Sequence, residues 1–176
     1  MTTPYSPAAV ANEFLDRARK DGKEITPMQL IKLTYIAHGW HLAVNNTPLI
    51  NEPIEAWKYG PVIPSLFHEF KEFKGDPIRR LAYARTNDSW DEESEFYVEK
   101  TFVPSEDTDT IKLLDWVWKS YGHFSGAQLS NLTHNPGTPW AKTHRENKSD
   151  MYPNVAIPDE VIRNHYLELW ATRNGK

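Results

Sequence analysis

The chain has 176 residues, enough for one compact domain with a sizeable core, and its lack of cysteine excludes disulfide and thiolate chemistry. The formal net charge of −4 is uneven: Asp88 to Asp109 holds nine acidic residues and one lysine, leaving the rest of the chain basic, yet Arg79-Arg80 is the only adjacent arginine pair and no basic face suited to nucleic acid stands out. No long apolar run suggests a membrane span, and MTTPYSPAAV lacks the charged-then-apolar order of a secretion signal, so a cytoplasmic protein is expected.

In chain order, Ser6 is placed to cap a first helix with Pro7 at its first position, Val10, Ala11, Phe14, Leu15 and Ala18 recur at helical spacing, and Gly22 ends it. Thr26-Pro-Met-Gln29 is a capping-box pattern opening a second helix. Leu30, Leu33, Ala37 and Trp40 mark one side of that helix, while Ile31, Tyr35 and Leu42 mark others. A helix apolar on several sides is covered by neighbours, so this one is expected at the centre of the fold, ending at Asn45-Asn46. Pro48 and Pro53 then interrupt helix, and Ile54, Ala56 and Lys58 alternate with Glu55, Trp57 and Tyr59 as in a strand. Gly60-Pro61 turns the chain into a third helix, Pro64 to Lys74, with the stripe Leu66, Phe67, Phe70 and Phe73 and a stop at Gly75.

Residues 76–106 are the least regular. Phe96 and Val98 alternate with Glu95, Tyr97 and Glu99, which suggests a strand pairing with residues 54–59. A fourth helix carries Ile111, Leu114, Val117, Trp118 and Tyr121 and closes at Gly122. Ser125-Gly-Ala-Gln128 forms a second capping box leading to Leu129 and Leu132, Thr138-Pro139 caps a helix carrying Trp140, and a last helix from Pro158 shows Ile162, Tyr166, Leu169 and Trp170 on one face. The expected architecture is mainly α: a single bundle of about six or seven helices with a small β element, spanning residues 1–176 as one domain. Leu33, Tyr35, Trp40, Phe70, Trp118 and Trp170 are its expected large core residues.

No catalytic constellation assembles. His38 and His41 share a helix face, but a zinc site needs three or four ligands, and helical histidines beside tryptophan are more often packing residues held by hydrogen bonds. Ser125, His134 and Asp115 nominally make a triad, without a Gly-x-Ser-x-Gly elbow or a strand leading into Ser125, whose capping box already explains it. No glycine-rich phosphate loop occurs. Neither metal nor cofactor is expected, and the chain does not read as an enzyme. Trp57-Lys-Tyr-Gly-Pro-Val62 has two compatible readings: Gly60 and Pro61 shape a turn, and Trp57 and Tyr59 on an extended segment serve as interface anchors. The acidic stretch holding Asp91, Glu92, Glu93 and Glu95 reads as a solvated loop or as a docking patch for a basic partner.

The order of KLTYIAHGWHLAVNNTPLINEPIEAWKYGPVIPSLFHEFK, YGHFSGAQLSNLTHNPGTPWAKT and IPDEVIRNHYLEL closely resembles the Panacea domain, also described as phage-associated GepA-like or SocA-like proteins. The resemblance runs from about Ser6 to Leu169, and the family pattern is met at Lys32, Leu33, Tyr35, Gly60, Pro61, Val62, Leu132, His134, Pro139 and Trp140. It implies a mainly helical antitoxin that binds and neutralises a cognate protein toxin by direct contact, one branch of the family delivering its toxin to a bacterial AAA+ protease. It carries no catalytic residue onto this chain. The alternatives are a phage or mobile-element regulator that binds another host protein, and an unrecognised hydrolase.

Overall fold

Every residue from Leu30 to Leu42 is buried in the computed structural model, which describes residues 4–85, 98–99, 101–146 and 155–175. These residues belong to α2 (Pro27–Asn45), which is touched by α1 (Pro7–Lys20), α3 (Pro64–Phe70), α4 (Thr108–Tyr121), α5 (Gly126–His134) and α7 (Asp159–Asn174). A seventh helix, α6 (Pro139–Glu146), lies against α5 and α7. The expected bundle with a central second helix is thus the observed one. Its start follows from local chemistry: Thr26 Oγ1 accepts from the Gln29 amide while Gln29 Oε1 accepts from the Thr26 amide at 2.9 Å. Its end is set by Asn46 in the left-handed region at φ 56°.

The core gathers Phe14, Leu30, Leu33, Tyr35, Ile36, Trp40, Leu49, Ile54, Ile63, Leu66, Phe70 and Leu114, all essentially inaccessible. Gly39 lets α7 approach closely, since a Cβ there would lie 2.1 Å from the Tyr166 ring. Several buried polar groups tie distant segments together, while His41 Nε2, Thr101 Oγ1 and Arg163 Nε have no hydrogen-bond partner among the described residues. Asn12 donates to the carbonyls of Ala82 and Thr101 and accepts from the Ala82 amide, tying α1 to two loop segments. His38 Nδ1 accepts from the Leu49 amide at 3.3 Å, which places the proton on Nε2, 3.0 Å from Asp159 Oδ1. His41 has the other tautomer, its Nδ1 donating to the Thr47 carbonyl at 2.7 Å. Both histidines are packing residues of α2.

The small sheet differs from expectation in its pairing. β1 (Glu55–Trp57) runs antiparallel to β2 (Gly60–Val62) and, on its other edge, to β5 (Val155–Ala156), giving the order β2-β1-β5. The segment expected to pair with it instead contributes β4 (Val98–Glu99) to a separate two-stranded ladder with β3 (Ala84–Arg85), and Phe96 lies outside the described residues. Both edges of β1 are thereby filled, one by the next strand in the chain and one by β5, so neither is left for Val98–Glu99.

The third helix is shorter than the predicted Pro64–Lys74. It ends at Phe70, continues as a 3-10 turn over Lys71–Phe73, and Lys74 takes φ 53°. Arg80 stands at this break: its Nη2 donates to the Glu69 carbonyl at 2.8 Å, and the guanidinium also pairs with the Glu69 and Glu72 carboxylates. Trp170 is the core expectation that fails. It is 49% exposed, whereas Ile162 and Tyr166 on the same helix are buried. The last turns of α7 leave the core, and every residue from Leu167 to Gly175 is exposed.

Candidate functional site

Residues 55–62 fold as a tight hairpin in the register Glu55↔Val62, Ala56↔Pro61 and Trp57↔Gly60, with Lys58 and Tyr59 at its tip. Gly60 takes φ +115°, a region closed to most side chains, and Pro61 occupies an edge strand, where its missing N–H leaves no ladder bond unmade. Ala56 and Ile54 point into the core, and the tip points out.

Three groups hold the hairpin from beneath. Lys32, on α2 and only 3% exposed, donates from Nζ to the Pro61 carbonyl at 2.9 Å and to the Tyr59 carbonyl at 3.4 Å. Ser130 on α5 also donates to the Tyr59 carbonyl, at 3.4 Å. Trp140 on α6 donates from Nε1 to the Trp57 carbonyl at 2.6 Å. Lys32 has no carboxylate within ion-pair distance among the described residues, and burial pushes its ammonium down to about 7. The indole of Trp140 stacks on His134, with centroids 3.8 Å apart, and on His144, at 4.5 Å. Thus Lys32, Gly60, Pro61, His134 and Trp140, separated widely in sequence, converge around one hairpin. Leu33 and Tyr35 point instead into the core, and Val62 is partly buried on β2.

The two aromatic residues at the tip differ. Trp57 is partly buried, edged against Phe67 with centroids 4.9 Å apart, and its Nε1 donates to Glu55 Oε2 at 2.7 Å. Tyr59 is 70% exposed, with the Lys58 ammonium 5.3 Å from its ring centroid. Glu92 and Glu93 lie outside the described residues. The nominal triad does not form a unit: Ser125 Oγ accepts from the Gln128 amide as a cap, Asp115 pairs with Arg17 at 2.7 Å, and His134 stacks on Trp140. Among the described residues no group of three or more His, Asp or Glu side chains is placed to hold a metal ion, and no helix is long and apolar enough to cross a membrane.

Sequence reasoning placed Lys32 in the family pattern but named no partner for it. Its signal is the one lysine inside a helix otherwise apolar on all sides, which demands buried acceptors. His144 was also missed, although its spacing of four residues from Trp140 on a helix places the two rings on one face.

The fold is thus a helical bundle around a central buried helix, with a short hairpin clamped against it by side chains of three helices. The chain belongs to the family described as Antitoxin SocA-like, Panacea domain, which it matches over residues 30–141. It is also similar to Antitoxin SocA of Caulobacter vibrioides (strain NA1000 / CB15N), with 30% identity over 158 residues, covering 90% of this chain and 80% of that protein. No solved structure matches the chain.

Proposed function

We propose that this protein neutralises a cognate protein toxin by direct, stoichiometric contact in the cytoplasm, and that the hairpin tip is part of the contact surface. The observation that carries the reading is the pairing of exposure with rigidity at Tyr59: the ring stands 70% exposed while its own carbonyl is held by Lys32 and Ser130. A pre-positioned aromatic loses little conformational entropy on binding and buries a large area, which suits an anchor. Trp57 supports the tip beside it, and the acidic stretch with Glu92 and Glu93 supplies charge for steering a basic partner. Occlusion of the toxin's working surface suffices for neutralisation; handing the toxin to an AAA+ protease is the added step that the family resemblance suggests.

The test is co-expression with the product of the neighbouring reading frame, scoring growth rescue and a co-purifying complex. Rescue that tracks the molar ratio of the two proteins supports the proposal. Rescue lost in a protease-deficient strain, with the complex intact, assigns the delivery step. If a trace of this protein inactivates a large excess of toxin with no protease present, stoichiometric contact is wrong.

A further inference from the structure

A second surface, sharing no residue with the hairpin, lies between α4 and α7. Its walls are Trp116, 38% exposed, and Trp170, 49% exposed, with Leu167 exposed on the same helix as Trp170. Both indoles lean on buried Trp40, at centroid distances of 5.0 and 6.4 Å. Beside Trp116 sits the Arg173 guanidinium, 5.2 Å from the Trp40 ring centroid, 5.5 Å from that of Trp116 and 5.9 Å from that of Tyr121. Its Nη2 donates to Tyr121 Oη at 3.1 Å, and the same oxygen accepts from Trp40 Nε1 at 3.2 Å.

The hydrogen-bond inventory of this cluster is one-sided. A guanidinium carries five N–H donors, and one of them has an acceptor among the described residues. Tyr121 Oη receives two hydrogen bonds, and its own proton has no acceptor among the described residues. No described carboxylate lies within ion-pair distance of Arg173, although the chain is acidic overall and pairs Arg17, Arg19, Arg79 and Arg80 with carboxylates. The cluster therefore offers a cation and unfilled donors beside exposed aromatic residues, with no anion among the described residues.

We propose that this α4–α7 surface docks a protein segment carrying a carboxylate beside an apolar side chain, with Arg173 and Tyr121 taking the carboxylate and Trp116 and Trp170 taking the apolar group. A guanidinium stacked on rings meets a carboxylate with its fork already oriented, so little side-chain entropy is lost. The aromatic walls select a peptide over a small inorganic anion, which would leave both indoles uncovered.

The experiment titrates the full chain with the hexapeptide Ac-Glu-Asp-Leu-Phe-Asp-Glu-NH2 and with its neutral isostere Ac-Gln-Asn-Leu-Phe-Asn-Gln-NH2, following the tryptophan indole N–H signals by NMR. Saturable binding of the acidic peptide is expected, with shifts centred on Trp40, Trp116 and Trp170. The isostere should bind at least tenfold more weakly, and Arg173→Gln and Trp170→Ala should each weaken the acidic peptide at least tenfold. Tyr59→Ala should leave peptide binding unchanged, which separates this surface from the hairpin. Equal affinity for the two peptides, full affinity in Arg173→Gln, competition by acetate alone at equal concentration, or no saturation by either peptide would each overturn the proposal. Should Arg173→Gln fail to fold, the comparison of the two peptides on the unaltered chain still decides.

Discussion

The ammonium of Lys32 occupies the place a side chain on Gly60 would need: a Cβ built on Gly60 lies 2.5 Å from Lys32 Nζ. The two residues are therefore mutually dependent, since the lysine reaches the Pro61 carbonyl only because position 60 is empty, and the glycine's φ of +115° is held by that clamp. Gly60→Ala should destabilise the protein by roughly 2–4 kcal/mol, combining backbone strain with loss of a buried charge-assisted hydrogen bond. Chemical denaturation measures this, and a loss below about 0.5 kcal/mol, the usual surface effect, would remove the clamp from the account.

Lys32 also sets a pH dependence. Its ordinary value of 10.5 falls to about 7 in the folded chain because burial disfavours the charged form. Below about 7 both folded and unfolded chains hold the proton, and the folded chain bears the full cost of the buried charge. Between about 7 and 10 only the unfolded chain still binds it, so stability should rise with pH, by at most about 1.4 kcal/mol per unit. Above 10 the rise should reverse, because burial raises Tyr5, Tyr35 and Tyr166 and their protons are lost first from the unfolded chain. Lys32→Met should flatten the slope between pH 7 and 10. Urea melts at unit pH intervals check this, and parallel slopes in the two proteins would refute it.

Acid should destabilise through a different pair. His41 and His165 are both lowered from 6.5, chiefly by burial, with Lys142 adding to the effect at His165. Stability present above pH 6.5 should therefore decline as the pH falls below it, as the unfolded chain takes up protons that the folded chain resists. His41→Gln, in which the Nδ1 bond to Thr47 is replaceable by the amide, should reduce the decline between pH 6.5 and 5. Thermal melts across that range provide the measurement.

Two apolar truncations should separate core from surface. Leu33→Ala, at 1% exposure, should cost roughly 2–5 kcal/mol, the range for a leucine deleted from a packed interior. Trp170→Ala, half-exposed, should cost clearly less. Equal losses would mean that Trp170 belongs to the core after all.

At the hairpin, Tyr59→Ala should weaken the toxin complex by about 2 kcal/mol or more while leaving the melting temperature near that of the parent. Neutralising Asp91, Glu92, Glu93 and Glu95 together should slow association and flatten its salt dependence if the stretch steers a basic partner. Calorimetry measures the first and stopped-flow association the second; unchanged affinity in Tyr59→Ala moves the contact surface elsewhere.

Much of the helical framework was legible because its signals are local. The Thr26–Gln29 and Ser125–Gln128 boxes each close within one turn, and both form as read. The burial of α2 followed from apolar residues on all its sides. A chain reversal near Gly60-Pro61 was legible, but it lies one step earlier than read: Lys58-Tyr59 form the tip, Gly60-Pro61 belong to β2, and the pairing of the strands was not legible. Val155–Ala156 is two residues long and shows no alternation, so nothing in it distinguishes a strand from a loop. The early end of α3 was equally hidden, because the group standing at that break, Arg80, is eleven residues from the carbonyl it binds.

The sequence by itself determined where helices start, which helix lies at the centre, that position 60 is glycine for conformational reasons, and a family resemblance. Those are properties of neighbouring residues, whose energies depend on spacings of one to four positions. Tertiary structure decided that Lys32 faces the Tyr59 and Pro61 carbonyls, that Trp140 reaches Trp57, and that Trp170 stands half in solvent although its helical phase matches that of buried Tyr166. Helical phase tells which way a side chain points. Whether anything lies there to cover it depends on how far the neighbouring helices extend, which no local pattern encodes.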